Sequence, residues 1–415
     1  MAKLKGPLFS VNAHGRLADA LTYSHRKTVN ATRYQRKQTD YTNLARRKQR
    51  GWWSTLCWLW RSLSTYYHNK WSVNIPYPSM TKFNYFIKQN LEQIEAHDPL
   101  NYQPNAGFCF DISRSHKVKN SGYVIPTISE KGDWIYFVSW NPVDKLYKAL
   151  KADPSYQETY DFPAQVTVPT RGVITGNYLS IVDYKAESGV ACFDLNNLSN
   201  PTYMPGNIFT PYIRAIAADG EYLWACAQTN PPLLYKFKPP DFTPILMSAL
   251  NTSALQPYAM AIDDTHIYIS TGENPANIIK VNKSNITDIT TQSLPVGYQI
   301  ASVIAVNDTY VFTAVSGAPS KLVRMPKTDL STQSTGYFPS GSYSPTHMIA
   351  DNRYFWTCFD SDPGTFVRSW CTNLSFHNQL TAETGISGIK EIAFDGTFFW
   401  LAALSAESKI LQVCK

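Results

Sequence analysis

Cysteine is scarce in this sequence. Seven cysteines occur in 415 residues, an odd number without regular spacing, which excludes a disulfide scaffold and provides no zinc-binding motif. Long apolar runs are also missing. None approaches the roughly 18 residues that a membrane-spanning helix needs, so we expect no membrane span. The first residues, MAKLKGPLFSVNAHGR, contain no apolar core and do not match a secretory signal.

Charged residues make up only 17% of the chain, and their signs are unevenly distributed. Residues 1–100 contain 16 Lys+Arg and 5 Asp+Glu, a net charge of +11, whereas residues 101–415 contain 22 and 26, a net of −4, and the two sum to the overall +7. The basic residues are densest between Arg33 and Arg50. Such a block suits binding to nucleic acid or to an acidic protein surface, or it forms a solvated helix face and an extended arm. No base-recognition motif accompanies it.

An aromatic column repeats at a constant spacing of 44 residues through the second half of the chain. Its members are Trp134, Tyr178, Tyr222, His266, Tyr310, Tyr354 and Phe398. The residue after each is aliphatic or Phe, and the next is aromatic in six of the seven units, as in Trp224 and Trp400. Adjacent apolar columns of this kind indicate a strand that is buried on both faces.

The same 44-residue unit contains two further strand patterns. A short apolar segment precedes each aromatic column and ends in Asp, Asn or Gly, as in Asp219-Gly220 and Asp395-Gly396, which favours a tight hairpin turn. A third segment, such as Tyr235-Lys236, follows it. Three strands with room for a fourth predict a mainly β fold: a seven-bladed β-propeller with four-stranded blades. Because the chain ends after the third strand of the seventh unit, we expect a strand from about residues 106–121, including GFCFDIS, to complete that blade.

Three polar sets in the repeats have both functional and structural interpretations. The column Asp219, Asp263, Asn307, Asp351 and Asp395 suits calcium, but hairpin-turn chemistry explains it without a metal. The third-strand cations Lys148, Lys236, Lys280, Arg324 and Arg368 suit an anionic glycan, but a solvated strand face is the simpler interpretation. His347 and Glu391 occupy equivalent inner-strand positions 44 residues apart, where they either face the central channel and bind a metal or polar ligand, or form a satisfied core pair.

The first hundred residues differ in character. Residues 6–38 read as an extended arm or hairpin, and Trp53, Leu56, Trp60 and Leu63 form the apolar stripe of a helix that starts near Asp40. A second helix is predicted in SMTKFNYFIKQNLEQI, with Ser79 or Thr81 near its start. We therefore divide the chain into a basic, Trp-rich module at 1–100 and the propeller at 101–415. The module is either an ordinary small helical domain or a docking module for partners. The predicted docking residues are Arg33, Arg36, Lys37, Arg46, Arg47, Trp52, Trp53, Trp58 and Trp60.

The N-terminal motifs resemble a segment of structural and hypothetical proteins of tailed bacteriophages. Gly-Pro-Leu-Phe-Ser at 6–10, Leu-Thr-Tyr-Ser at 21–24, a Trp-rich helix within 53–71 and Asn-Tyr-Phe-Ile at 84–87 follow in the same order. The resemblance covers about the first 95 residues and implies a virion-associated protein, assembled in the host cytoplasm. It implies no enzymatic activity.

These observations lead to a hypothesis of a non-enzymatic virion structural protein. The N-terminal module would dock onto capsid, neck or tail proteins, and the propeller would be a protein- or glycan-binding platform. The sequence contains no Gly-Xaa-Ser-Xaa-Gly motif and no phosphate-binding loop, so we expect no catalytic residues, cofactor or metal. The alternatives are a host-glycan or receptor-binding appendage, a DNA-associated internal virion protein that contacts DNA through the basic arm, and a propeller hydrolase that uses His347 and Glu391.

Overall fold

The protein is described by a computed structural model. It covers residues 15–17, 21–26, 29–34, 44–63, 68–69, 71, 75, 80–96, 113–118, 126–139, 144–185, 188–204, 212–250, 256–383, 385–405 and 409–415. Seven four-stranded antiparallel sheets form the blades of a ring, in which each innermost strand contacts the innermost strands of its two neighbours. The predicted seven-bladed β-propeller is therefore confirmed.

The strands of each blade run outwards from the central channel, in the order first to fourth. The first strands are β5 (Ile128–Lys131), β9 (Pro169–Thr175), β13 (Ile213–Asp219), β17 (Pro257–Ile262), β21 (Ala301–Val306), β25 (Pro345–Ala350) and β29 (Ile386–Phe394). The second strands are β6 (Trp134–Ser139), β10 (Tyr178–Asp183), β14 (Tyr222–Ala227), β18 (His266–Thr271), β22 (Tyr310–Val315), β26 (Tyr354–Phe359) and β30 (Phe398–Ser405).

The two outer positions complete the blades. The third strands are β7 (Lys145–Leu150), β11 (Gly189–Asp194), β15 (Leu233–Lys238), β19 (Asn277–Asn282), β23 (Lys321–Pro326), β27 (Thr365–Trp370) and β31 (Lys409–Cys414). The fourth strands are β8 (Asp153–Asp161), β12 (Asn197–Met204), β16 (Asp241–Ala249), β20 (Ile289–Ser293), β24 (Ser334–Tyr337), β28 (Phe376–Thr381) and, for the seventh blade, β4 (Ser113–Lys117).

The aromatic column marks the first residue of every second strand, from Trp134 in β6 to Phe398 in β30. The residues that follow are buried on both faces of the sheet: Ile135 and Tyr136 are 0% and 4% exposed, and Phe399 and Trp400 are both 0% exposed. The flat faces of neighbouring blades pack on one another, so a second strand meets apolar neighbours on either side. This is why the pattern has no polar alternation.

Two faces of the ring are defined by the connections. Turns between first and second strands, and between third and fourth strands, lie on one face, which we call the hairpin face. Loops between second and third strands, and from one blade to the next, lie on the other, which we call the connection face. On the hairpin face Gly220 has φ = 59°, a left-handed conformation that favours glycine.

The ring is closed by a strand from the N-terminal side of the propeller. β4 pairs antiparallel with β31, with Ser115 opposite Leu411 and His116 opposite Ile410. This strand lies within the predicted range of 106–121. It consists of SRSHK at 113–117, however, and most of the predicted GFCFDIS segment lies outside the described residues. The backbone edge of β31 is thereby paired, as the edge-strand argument requires.

Two helices are among the described residues that precede the propeller. α1 (Leu44–Ser62) and α2 (Lys82–Ala96) contact each other, and Thr81 Oγ1 caps α2 by accepting the Asn84 N–H at 3.1 Å. Asp40 and Thr42, the predicted caps of the first helix, lie outside the described residues. Within the predicted arm, β1 (Gly15–Leu17), β2 (Leu21–Arg26) and β3 (Val29–Tyr34) form a three-stranded antiparallel sheet. Among the described helices, none is long and apolar enough to cross a membrane.

Candidate functional site

The Trp-rich helix α1 packs on the hairpin face, at the seam between the first and seventh blades. Trp52 is 7% exposed and stacks on Phe398 of the last blade, with ring centroids 5.8 Å apart and an interplanar angle of 8°. Gly51 lies so close to the first blade that a Cβ would come within 1.9 Å of the Ala152 carbonyl oxygen. The helix and both blades therefore share one hydrophobic core.

Basic residues of α1 pair with acidic residues in the turns of the first blade. Arg47 Nη1 lies 2.9 Å from Asp153 Oδ2, and its guanidinium stacks over Tyr156 at 4.4 Å from the ring centroid. Lys48 Nζ lies 2.6 Å from Asp133 Oδ1. Part of the positive charge that sequence analysis assigned to an external partner is neutralised within the chain.

The other predicted tryptophans are partly buried between the two helices and the shared core. Trp53 lies edge-on to Phe83, with centroids 6.0 Å apart, and Trp60 packs against Phe86 at 5.2 Å. Trp58 is partly buried against the same cluster. Of the remaining docking residues, Arg33 and Arg46 have only their backbone described, in β3 and α1, and Arg36 and Lys37 lie outside the described residues. A docking role for these side chains stays a prediction.

Four of the five third-strand cations lie over aromatic rings of their own blade, and of the five only Arg368 is buried. Lys148 lies 4.1 Å from the ring centroid of Trp134, Lys236 lies 4.1 Å from that of Tyr222, and Arg324 lies 4.6 Å from that of Tyr310. Each aromatic ring starts the adjacent strand of the same blade. Cation–π contact explains why the cationic and aromatic columns recur together.

The aspartate column forms the hairpin turns, as the turn interpretation predicts. Asp263 Oδ1 accepts the N–H groups of Thr265 and His266 at 2.8 and 2.7 Å. Asp395 repeats this pattern with Thr397 and Phe398. One oxygen of each carboxylate is thus used to form the turn.

A lysine column that sequence analysis missed binds the other oxygen of these carboxylates. Lys283, Lys327 and Lys415 pair with Asp219, Asp263 and Asp351 of the preceding blade, at 2.9, 2.6 and 2.9 Å. Each lysine lies 64 residues after its aspartate, and the three occupy equivalent positions of the 44-residue repeat, with Cys371 at the position between Lys327 and Lys415. The sequence signal was therefore available. These ion pairs join neighbouring blades on the hairpin face.

A cavity of about 60 Å³ occupies the central channel, bordered by the first strands of six blades. Glu391, His347 and Arg171 line one side of it, and Ala259 and Val303 line the opposite side. All five are equivalent positions of the 44-residue repeat. His347 and Glu391 do face the channel together, with Nε2 and Oε1 4.0 Å apart. Sequence analysis missed Arg171 because its column has no common chemistry.

Hydrogen bonds between neighbouring blades fix the positions of His347 and Glu391 in the channel. The Ile392 N–H donates to His347 Nδ1 at 3.1 Å, and the Ile128 N–H donates to Glu391 Oε2 at 3.1 Å. The neutral imidazole therefore carries its proton on Nε2, the atom directed towards Glu391. The same type of hydrogen bond, from a backbone N–H to a channel side chain of the preceding blade, joins the next pair of blades, where the Gly172 N–H donates to Thr127 Oγ1 at 2.9 Å.

Desolvation shifts both titratable groups towards their neutral forms, although the side chains of His347 and Glu391 remain 30% and 13% exposed to the channel. Desolvation raises the pKa of Glu391 to about 7, although the Thr127 hydroxyl, Arg171 and the Ile128 N–H oppose the rise. Desolvation, reinforced by the charge of Arg171, lowers the pKa of His347 to about 3. A neutral imidazole whose Nδ1 is occupied is unsuited to general-base catalysis near neutral pH.

The connection face carries a cluster of exposed apolar residues at the fourth to sixth blades. Val296, Ile300, Tyr337 and Tyr343 are 93%, 37%, 64% and 45% exposed. Lys321 connects two of these loops. It lies opposite Tyr337 in the pairing of β23 with β24, and its Nζ donates to the carbonyl of Gly297, next to Val296, at 3.2 Å. The Ser320 N–H donates to Ser342, next to Tyr343. We call these four residues the loop patch.

Comparisons with known proteins support the fold alone. The WD40 repeats of RRP9 superpose with a TM-score of 0.58 at 9% identity, covering 74% of this chain and 99% of that chain. U3-55K gives 0.56 at 9% identity, covering 72% and 98%, and BamB from Moraxella catarrhalis gives 0.50 at 8%, covering 71% and 86%. No family model and no curated protein matches the sequence. The chain is similar to these structures in its propeller architecture.

Proposed function

We propose that this protein is a non-enzymatic structural component of a tailed-bacteriophage particle, in which the propeller is a protein-binding platform. The loop patch is the observation that carries the proposal. It places four of the large exposed apolar side chains on one face, two of them tyrosines. Apolar and aromatic residues concentrated in this way are typical of protein interfaces.

The packing of α1 suggests which part attaches the protein to the particle. Trp52 and Arg47 contact the protein's own blades, which leaves residues 1–43 as the attachment segment. These residues contain 8 Lys+Arg and 2 Asp+Glu, a net charge of +6. They join α1 at Leu44, whose helix lies on the hairpin face. An anchor on that side leaves the connection face and its loop patch turned away from the particle.

The virion assignment rests on the resemblance of the first 95 residues to phage structural proteins. A positively charged segment suits acidic surfaces of capsid, neck or tail proteins, or packaged DNA. The host cytoplasm would be the place of assembly.

Co-sedimentation with particles that lack this protein tests the attachment. We expect full-length protein to bind and a deletion of residues 1–43 to lose binding while its thermal unfolding stays the same, because the deletion leaves α1 and all seven blades intact. Equal binding by the deletion variant would contradict the proposal. Binding to DNA alone, with a steep dependence on salt, would instead place the protein inside the head.

The loop patch is tested by a Tyr337→Ser/Tyr343→Ser variant. We expect it to attach to particles normally and to lose a second partner, identified by cross-linking in assembled particles. Phe376→Ser is the matched control, because Phe376 is 47% exposed on the outer strand β28, away from the patch. Loss of the same cross-links in the control would show that the patch is not the interface.

A host-glycan-binding appendage is the second candidate, and the same tyrosines favour it. Exposed aromatic rings in the loops of one face are suited to stacking on sugar rings. A glycan array with full-length protein distinguishes the two. Saturable glycan binding that the double tyrosine variant loses would replace the protein-platform proposal for this face.

A further inference from the structure

Arg171 presents an unpaired cation to the central channel. Among the residues that the structure describes, its guanidinium makes no hydrogen bond and no ion pair within 4.0 Å, and it interacts only at longer range with Glu391 and Arg214. Other arginines of the ring are paired: Arg214 Nη2 donates to the Tyr184 hydroxyl at 2.6 Å, and Arg324 Nη1 donates to the Cys371 carbonyl at 2.8 Å. Arg171 is partly exposed, so its guanidinium is available to bind an anion in the channel.

The cavity beside Arg171 has the size of a small molecule. A buried water needs roughly 10–15 Å³ measured in this way, and the cavity measures about 60 Å³. It therefore has room for a few waters or one small oxyanion. Arg171 is the one Lys or Arg among the described residues that line it.

We infer that the channel is a binding site for a small monovalent carboxylate, of the size of formate or acetate, held between Arg171 and Glu391. The guanidinium offers a planar, bidentate fork that matches a carboxylate. Glu391, two blades away from Arg171 on the same side of the channel, donates a hydrogen bond to the same anion in its protonated form. Ala259 and Val303 provide an apolar wall for a methyl group.

Glu391 also restricts which anions bind. An ionised Glu391 repels any anion, and a dianion such as phosphate is repelled most strongly. The groups that face Glu391 are Arg171 from β9, His347 from β25, the Cys358 thiol from β26, and the Thr127 hydroxyl and Ile128 N–H from the first blade. Arg171 is the one cation among them near neutral pH, since the pKa of His347 is lowered to about 3.

The site therefore binds more tightly below the pKa of Glu391, which burial raises to about 7. Between pH 6 and pH 8 we expect the affinity to fall about tenfold, because the fraction of protonated Glu391 falls by about that factor. The proposal is independent of the platform function, since it concerns the channel and not the loop patch.

The test uses full-length protein and ¹³C-labelled formate and acetate, with binding followed by NMR line broadening and calorimetry in chloride-free buffer. We expect saturable binding at pH 6 that weakens about tenfold at pH 8. Arg171→Gln should abolish binding. Glu391→Gln should bind with no pH dependence, since the amide also donates a hydrogen bond. Arg353→Gln is the matched control, because this exposed arginine stacks on Tyr354 away from the channel.

Four outcomes overturn the inference. The first is that wild-type protein shows no saturable binding of either carboxylate. The second is that Arg171→Gln binds as tightly as wild type. The third is that the pH dependence of carboxylate binding persists in Glu391→Gln. This outcome tests the inference even if Arg171→Gln fails to fold. The fourth is that chloride competes with an affinity equal to that of the carboxylates, which would make the channel a non-selective halide site.

Discussion

Lys151 of the first blade forms an ion pair with Asp395 of the last blade, with Nζ and Oδ2 3.5 Å apart. The two side chains are only 2% and 4% exposed, and Lys151 Nζ also lies 2.6 Å from Glu130. The pair continues, across the seam of the ring, the Lys–Asp pattern that joins other neighbouring blades. Trp52 of α1 lines the small cavity over it. The ring is therefore closed by an ion pair and a helix as well as by the strand β4.

Replacing Lys151 is expected to destabilise the ring. Lys151→Met leaves the buried Asp395 carboxylate without its cation, and breaking a buried pair in this way costs about 3–5 kcal/mol. The free energy of unfolding, from denaturant titration, measures the loss. The matched control is Lys415→Met at the equivalent position of the seventh blade. Its pair with Asp351 is 21% and 34% exposed, so a loss below about 1 kcal/mol is expected. Equal losses would show that the seam has no special role.

Trp52 is expected to stabilise the propeller itself. Trp52→Ala removes a buried ring stacked on Phe398, and truncations of this kind cost about 3–5 kcal/mol. Arg61→Ala, at an exposed position of the same helix, should change stability by less than about 0.5 kcal/mol. Unchanged stability together with lost particle binding for Trp52→Ala would restore the docking interpretation of this helix.

The last strand is expected to be indispensable. Deleting residues 406–415 removes β31 and leaves β4 and β30 without their common neighbour in the seventh blade. Soluble expression and circular dichroism should show loss of the folded state, because two strand edges and the core residues Ile410 and Val413 are lost or exposed at once. A soluble, cooperatively unfolding deletion variant would contradict closure by this blade.

Glu391 is expected to make stability fall as pH rises. Its pKa is about 7 when folded and about 4.3 when unfolded, so between these values the folded state holds a proton that the unfolded state releases. Stability therefore declines from about pH 4.3 to 7 and is then constant. Glu391→Gln should remove this decline. Subtracting the free energy of unfolding of the variant from that of the wild type at each pH separates the contribution of Glu391 from that of His347. Parallel curves for the two proteins would show that Glu391 is not the titrating group.

The blades could be predicted because equivalent residues of every repeat pack in the same surroundings. Tyr222, Tyr310 and Tyr354 all start a strand packed on both faces, so the same residue types recur every 44 positions. The turn role of Asp263 follows from local backbone chemistry, and the pairing strand β4 follows from the cost of an open sheet edge. The lysines of the Lys–Asp pairs follow the same period.

The surroundings of Arg171 and of Trp52 could not be predicted from the sequence, for different reasons. The residues that line the channel at equivalent positions are Thr127, Arg171, Ala215, Ala259, Val303, His347 and Glu391. Because these residues differ in chemistry, the repeat pattern does not reveal that they share a site. Trp52 belongs to an apolar helical stripe, which signals burial without naming the surface that covers it.

The amino-acid sequence by itself determined the blade, the number of repeats, the turns and the need for a closing strand, because these depend on neighbours within one repeat or the next. Only the tertiary structure decided that α1 covers the seam at Lys151 and Asp395, that third-strand cations stack on aromatic rings, and that Arg171, His347 and Glu391 share one cavity. Those relationships join residues far apart in the chain. They depend on closure of the ring, which brings the first and seventh blades together.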